Sequence, residues 1–384
     1  MNSTKLLVLQ RVLPHYRTGI FMRLKERFPG LTVAYGEPRK NEPLKNDSSR
    51  LPDFFRKLRN IYPAGSPNIF ATDCSRLIIK LRPDAVVSVF NTGNLNLYKM
   101  LILRKLLGFR LILWSFGYDP ARGFDPANSL SDRIRLRLSK SADAVIFYWD
   151  KGREVVENIT GSLPHFFVAP NTLDTSRLEA LRMEFDAIGR DNLKKELNVI
   201  QQHHFIFAGR LISDKQVDHL IEAFVSLSKR FENCRLTIIG DGPEREKLER
   251  ISESAGGNVI FAGEITDDRE VGKWLYISNA LVMPGRLGLS VVHSFCFGTP
   301  VISQKKDSFF HGEGIGYLKD GVNGMLAEDG DAEDLERKME VLITLPEMND
   351  EMRRNALITV ANECSVEKFL EGFESAVNYA MRQK

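Results

Sequence analysis

Arg210 and Lys215 are the side chains of this sequence best placed to do chemistry. The run Phe205-Ile206-Phe207-Ala208-Gly209-Arg210-Leu211 reads as a short buried strand, a Gly turn and an Arg at the strand's carboxyl end, with Lys215 on the first turn of the next helix. Ligands of open α/β sheets bind outside the carboxyl ends of the strands. A guanidinium and an ammonium there make a clamp for a diphosphate. When a bond from a sugar to that diphosphate breaks, charge grows on the phosphate oxygens. Fixed cations then stabilise the transition state more than the ground state. Downstream, Pro284-Gly285-Arg286-Leu287-Gly288-Leu289-Ser290 opens a second helix, which closes at Phe297-Gly298-Thr299-Pro300-Val301. Gly285 and Gly288 let backbone N–H groups at a helix N-terminus face a phosphate. Two anion sites in one half of the chain point to a protein that holds a nucleoside diphosphate by its phosphates.

Other polar positions fall near the same strand ends. His293, one turn after Ser290, can hydrogen-bond a ribose or sugar hydroxyl, or serve as a satisfied structural histidine. Asp241, in Ile239-Gly240-Asp241-Gly242-Pro243, reads first as a helix cap and second as a residue that orders the site. The backbone around Phe261 and Gly263 can read the edge of a base. In the first half, His15, Tyr16 and Arg17 lie between the first strand and the first helix. Asn91, Tyr118 and Asp119 follow later strands at the same edge. His15 and Asp119 are the candidates for meeting an acceptor hydroxyl.

These residues need parallel strands to carry them. Near-continuous apolar runs at 5–9, 31–35, 84–90, 110–115, 143–148 and 165–169 alternate with helical patterns such as 17–28, 94–107 and 129–140. A second set follows, at about 204–208, 235–239, 258–261, 280–283 and 300–303. Such alternation specifies parallel sheets covered on both faces. The expected domains are 1–170 and 203–364, joined by a linker at 171–202. An amphipathic terminal segment, 365–384, returns to the first domain. Residues 37–67 show no period and read as a long loop.

A chain of 384 residues exceeds one compact core. Its net charge of +3 conceals an asymmetry: residues 1–200 hold 32 Lys+Arg against 20 Asp+Glu, and residues 201–384 hold 21 against 30. The basic half suits an anionic membrane surface or a phosphorylated substrate. Nucleic acid is disfavoured because no aromatic–basic interleaving is present. Cys74, Cys234, Cys296 and Cys364 fit no metal spacing and read as buried thiols of a reducing compartment. The start, Met1 to Lys5, lacks the long apolar core of a signal peptide, and Lys5 to Leu9 reads as a first strand. The expected location is the cytoplasm, on the inner face of a membrane where the basic half docks.

The chain resembles GT-B glycosyltransferases, in particular glycosyltransferase family four and its polysaccharide-assembly branch. The resemblance rests on Gly209-Arg210-Leu211 with Lys215, Ile239-Gly240-Asp241-Gly242-Pro243, Gly298-Thr299-Pro300-Val301-Ile302 and Asp320-Gly321-Val322-Asn323-Gly324. It implies two Rossmann-like domains with parallel sheets facing an inter-domain cleft. The nucleoside diphosphate sugar (UDP-glucose or a similar donor) is held by the second domain and a saccharide or lipid-linked acceptor by the first. It also implies transfer of a hexose with retention and no required metal or other cofactor, with Arg210 and Lys215 on the diphosphate positions. The glutamate pair of such proteins falls on Gly285 and His293 here. The resemblance therefore passes one contact to His293 and the other to the backbone at Gly285, with Glu313, in His311-Gly312-Glu313, as the alternative that restores a carboxylate. A histidine common in the first domain is Phe116 here. Two other functions fit the same frame: a sugar-nucleotide epimerase and a non-catalytic nucleotide-sugar-binding protein.

Overall fold

The computed structural model describes residues 4–382 other than 41, 43, 44, 64–68, 120–122, 254–257 and 307–309. The chain divides into two units, Met1–Asp174 with Val366–Lys384, and Thr175–Ser365.

The first unit has strands β1 (Leu6–Gln10), β2 (Thr32–Tyr35), β3 (Phe55–Lys57), β4 (Asn60–Ile61), β5 (Ala71–Thr72), β6 (Ala85–Val89), β7 (Arg110–Ser115), β8 (Ala144–Phe147) and β9 (Phe166–Val168). Its helices are α1 (His15–Arg27), α2 (Ser75–Leu81), α3 (Leu95–Leu107), α4 (Leu130–Ser141) and α5 (Asp150–Thr160). Seven strands form a sheet in the order β3-β2-β1-β6-β7-β8-β9, and β4 pairs with β5. The pairings in the large sheet are parallel, with Val8 opposite Val33 on one side and Val87 on the other. Alternate side chains along a strand face opposite ways. Leu6 and Val8 therefore enter one core with α1, while Leu7 and Leu9 enter another with α2, α3, α4 and α5. The stretch 37–67, read as a loop, contains β3 and β4. Their few residues are too short for a periodic signal.

The second unit contains α6 (Thr175–Ile188), α7 (Arg190–Glu196), β10 (His203–Ala208), α8 (Val217–Arg230), β11 (Cys234–Ile239), α9 (Arg245–Ser252), β12 (Val259–Gly263), α10 (Asp268–Ile277), β13 (Ala280–Val282), α11 (Ser290–Cys296), β14 (Val301–Gln304), β15 (Gly324–Ala327), α12 (Ala332–Thr344) and α13 (Pro346–Thr359). The sheet order is β12-β11-β10-β13-β14-β15. Numbered within the unit this is 3-2-1-4-5-6, with its switch point between β10 and β13. Most of the stretch read as a linker, 171–202, is helical. Phe185 of α6 is fully buried and stacks on Phe297, which places α6 in the second unit.

The final helix, α14 (Val366–Arg382), belongs to the first unit. Phe369, Phe373, Ala376, Val377 and Ala380 share one buried face. Phe373 meets Phe28 and Trp114 edge-on at 6.3 and 5.8 Å. The first sheet is thus covered on one face by residues more than 180 positions beyond its last strand. We expect Phe373→Ala to destabilise the first unit by about 3–5 kcal/mol, the usual range for emptying a packed aromatic site. Urea unfolding followed by tryptophan fluorescence measures this; an unchanged midpoint would show that Phe373 contributes nothing to the core.

Candidate functional site

The site of the second unit is built at its switch point. β10 ends at Ala208, and Gly209 donates its N–H to the Ile239 carbonyl at 2.9 Å. Gly240 approaches so closely that a Cβ there would lie 1.8 Å from the Gly209 carbonyl oxygen. Its φ of +141° is likewise rarely open to other residues. Leu211 N–H to Asp241 carbonyl (3.0 Å) and Gly240 N–H to Gly263 carbonyl (2.8 Å) extend the same seam across β11 and β12. The seam holds Arg210 at the carboxyl edge, with its side chain exposed.

Lys215 is not on the first turn of a helix. It ends a 3-10 turn, Ser213–Lys215, and Gln216 then adopts a left-handed φ of +50° before α8 begins at Val217. That conformation costs a non-glycine residue about 1–2 kcal/mol. A second segment fixes the turn. Gly285 donates to the Lys215 carbonyl at 3.1 Å, and Arg286 donates to the Asp214 carbonyl at 2.9 Å. Any Cβ on Gly285 would lie 2.1 Å from the Asp214 oxygen, so only glycine fits. The Lys215 ammonium in turn donates to the Arg286 carbonyl at 2.5 Å. Burial, followed by the positive charges of Arg286 and Arg210, pulls the Lys215 pKa down to about 8, while Asp214 opposes the shift. The structure thus brings together Arg210, Lys215 and Arg286 from the loops after β10 and β13. A polyanion is the ligand that would relieve their repulsion.

Gly288, Leu289 and Ser290 lead into α11, which has only seven residues. Leu289 stands at its N-cap, and Val291 N–H points at the Gly288 carbonyl at 3.3 Å. Ser290 Oγ turns toward the Met283 sulfur at 3.5 Å. A Cβ on Gly288 would meet nothing within 4 Å, so space opens beside it. His293 packs on Phe297 at 5.7 Å and brings Nε2 within 3.9 Å of Asp268 at the start of α10.

Glu313 is drawn to this loop by its neighbours. Gly312 N–H donates to the Leu287 carbonyl at 3.0 Å. Buried His311 accepts from Leu287 N–H on Nδ1 at 3.2 Å and donates from Nε2 to the Gln304 carbonyl at 3.1 Å. Only a neutral ring protonated on Nε2 makes both bonds. Burial lowers the His311 pKa to about 4. Sequence reasoning gave the weight in this stretch to Glu313 and missed His311 as the tether. A histidine directly before a glycine, in a segment returning to the sheet edge, was its only signal. Gln304 was also missed. It ends β14 fully buried, and neither its amide oxygen nor its nitrogen has a hydrogen-bond partner among the described residues.

One donor-side assignment changes. Asp241 is not the cap of α9. The helix begins four residues later with Glu244 at its N-cap, and Asp241 instead bonds Gly242 N–H at 2.7 Å and faces Arg245 at 3.6 Å. Phe261 lies half-buried on the edge strand β12, and the Gly263 carbonyl already accepts from Gly240. Among the described residues no group of three or more His, Cys, Asp or Glu could hold a metal ion.

In the first unit, the loops after β1, β6 and β7 share one edge because these strands are adjacent and parallel. His15, Tyr16 and Arg17 occupy the first turn of α1 instead of a loop before it. His15 is exposed there, with Tyr16 edge-on at 5.8 Å. Arg17 lies over Trp114 and Tyr148 at 4.9 and 5.5 Å and donates to Asn171 at 3.3 Å, so packing occupies its guanidinium. Asn91 accepts from Gly93 N–H at 2.8 Å in the loop whose Asn94 caps α3. Tyr118 is buried beside Phe116 and Trp149, and Asp119 bridges to Gly123.

Residues 190–358 match the family described as Glycosyl transferases group 1. Alpha-D-kanosaminyltransferase of Streptomyces kanamyceticus is 23% identical over 244 residues, covering 60% of this chain and 58% of that one. The lipopolysaccharide core biosynthesis glycosyltransferase LpsE of Rhizobium meliloti is 28% identical over 170 residues, covering 43% and 46%. The chain thus spans about half the length of the curated relatives it matches. The crystal structure of HepE from Anabaena in complex with UDP-glucose superposes with a TM-score of 0.66 at 16% identity, over 98% of this chain and 99% of that one. The fold is GT-B, and the chain carries a glycosyl transferases group 1 domain.

Two outcomes follow from the titrating groups. An anion that needs charged Lys215 should bind less tightly as pH rises through about 8, where the free lysine loses its proton. In Lys215→Arg the loss should be absent, since guanidinium stays charged; calorimetric titration with UDP from pH 7 to 9.5 reads this, and identical pH profiles would remove Lys215 from the anion site. His311 is neutral when folded and takes a proton near 6.5 when unfolded. Stability should therefore fall as pH drops from about 6.5 to about 4. His311→Gln should flatten that slope at a cost of about 1–3 kcal/mol at neutral pH, measured by urea unfolding at pH 5 and 7; an unchanged slope would contradict the tether.

Proposed function

We propose that this protein is a retaining hexosyltransferase that takes its sugar from a nucleoside diphosphate donor, with UDP as the favoured nucleotide. The observation that carries this reading is the convergence of Arg210, Lys215 and Arg286 on one switch point. Backbone bonds hold the two loops together, with Arg210 and Arg286 exposed and the half-buried Lys215 ammonium seated on the Arg286 carbonyl. The group 1 domain over the same residues supports it, as does the likeness to a protein crystallised with UDP-glucose.

In this reading the three cations bind the diphosphate and stabilise the charge that builds on it as the anomeric bond breaks. His293 and Ser290 meet hydroxyls of ribose or sugar, and Glu313 lies where the sugar enters. Gly209, Gly263 and Phe261 border the base. The acceptor is a hydroxyl of a saccharide or lipid-linked saccharide, received by the first unit near His15, Tyr16, Asn91 and Asp119. Phe116, packed between Tyr118 and Trp149, offers no base. The leaving phosphate therefore takes the acceptor's proton on the face it departs from, which gives retention. No metal is needed because the cations neutralise the phosphates. The basic first half attaches the protein to an anionic membrane surface where lipid-linked acceptors lie.

Arg210→Ala and Lys215→Ala should each lower kcat on the order of 10²-fold or more. Turnover is followed as UDP release from UDP-sugars with a saccharide acceptor and excess EDTA present. Full kcat in both variants would end the diphosphate assignment, and dependence on added metal would end the cation-only account. Product NMR showing an inverted anomeric centre would end the retaining assignment.

A further inference from the structure

Helix α3 is apolar on two sides. Leu97 and Met100 are buried in the core beneath the sheet, while Leu95, Tyr98, Ile102 and Leu106 face outward. Ile102 is 65% exposed and Leu106 76%. Spacings of three and four place the outer set on one line along the helix. Lys99 and Lys105 flank that line and are exposed. Helices α2, α3 and α4 cover the same face of the sheet. The strand sequence β6-β7-β8 sets α3 and α4 side by side, tied by Thr92 Oγ1 to Ser131 Oγ at 2.9 Å near their starts and by Arg104 to the Ser141 carbonyl at 3.1 Å at their ends. Arg133, Arg137 and Lys140 recur once per turn on the outside of α4, and Arg76 and Lys80 are exposed on α2. The three helices hold nine Lys and Arg and one acid, Asp132, which is buried against Arg135 at 3.3 Å.

We propose that this face docks on an anionic lipid bilayer, with α3 lying in the interface. Its outer stripe enters the acyl region while the cations of α2, α3 and α4 meet headgroup phosphates. Charge selects the partner. A second copy presenting the same face would set cations against cations, whereas an anionic bilayer satisfies both the stripe and its rim. The first unit as a whole carries 30 Lys+Arg against 18 Asp+Glu. The inference rests on the membrane reading above but needs neither donor nor turnover.

The test is co-sedimentation of the full chain with phosphatidylcholine vesicles, with and without phosphatidylglycerol, at low and high salt. The wild type should bind only the anionic vesicles and detach in high salt. Ile102→Glu with Leu106→Glu should lower the partition coefficient about tenfold or more, and Lys99→Glu with Lys105→Glu about tenfold. Both pairs face outward and should keep the wild-type melting temperature and donor hydrolysis. Met183→Glu with Ile358→Glu, exposed apolar residues of the second unit, should bind as the wild type does. Failure of the wild type to bind would overturn the membrane reading itself. Equal binding by the Ile102/Leu106 variant would overturn the surface assignment. A dimer that this variant dissolves, without vesicle binding, would make the occupant a second copy.

Discussion

The second unit depends on holding like charges together. Arg210, Lys215 and Arg286 repel one another, and nothing in their side-chain chemistry would keep them adjacent in water. Backbone bonds do so instead. The turn after β10 and the loop after β13 exchange N–H and carbonyl groups through Gly285 and Arg286, and the Lys215 ammonium closes the ring on the Arg286 carbonyl. Burial, with that repulsion added, depresses the pKa of Lys215, and the turn that presents it runs into the left-handed Gln216. Strain of this kind persists only where the surroundings over-determine it. Here the seam of Gly209, Gly240 and Gly263 on one side and the His311 tether on the other supply that constraint.

His311 extends the same logic. A neutral ring that accepts from one segment and donates to another fixes their separation more tightly than apolar contact can. Its two partners are backbone atoms, Leu287 N–H and the Gln304 carbonyl. The segment bearing Glu313 is therefore registered against the glycine loop whatever side chains that loop carries. The carboxylate near this site comes from a neighbouring turn, and the position next to Lys215 is left to Gly285, where a larger residue would collide with the backbone of Asp214.

Much of this was legible in the sequence, and the exceptions have physical causes. Apolar strand runs and the helices between them set the two sheets, because buried parallel strands leave an unbroken apolar signal. Gly209, Arg210 and Gly285 stood out because turn chemistry and strand ends are local. Lys215 was found, yet its helix was begun two residues too early, since the turn ending at the left-handed Gln216 is pinned by a segment about seventy residues away. Asp241 was assigned as a cap because Asp before a helix usually is one, but Pro243 and Glu244 delay the helix. Arg17 looked like a ligand contact because its aromatic partners, Trp114 and Tyr148, are distant in sequence. β3 and β4 escaped because two or three residues carry no period.

The two units use one topological device with opposite electrostatics. The second unit is acidic, yet its switch point gathers three cations. Its attraction for an anion is thus confined to a spot against an overall field that repels polyanions, which favours a small, doubly charged ligand over an extended one. The first unit is basic, yet the loop after β6 at its switch point, Phe90 to Asn94, carries no charge, and many of its cations lie on the outer sides of α2, α3 and α4. In the proposed docking, charge in the first unit serves its outer surface. These opposite fields agree with the proposed division of labour, a diphosphate donor at the second unit and a hydroxyl-bearing acceptor at the first.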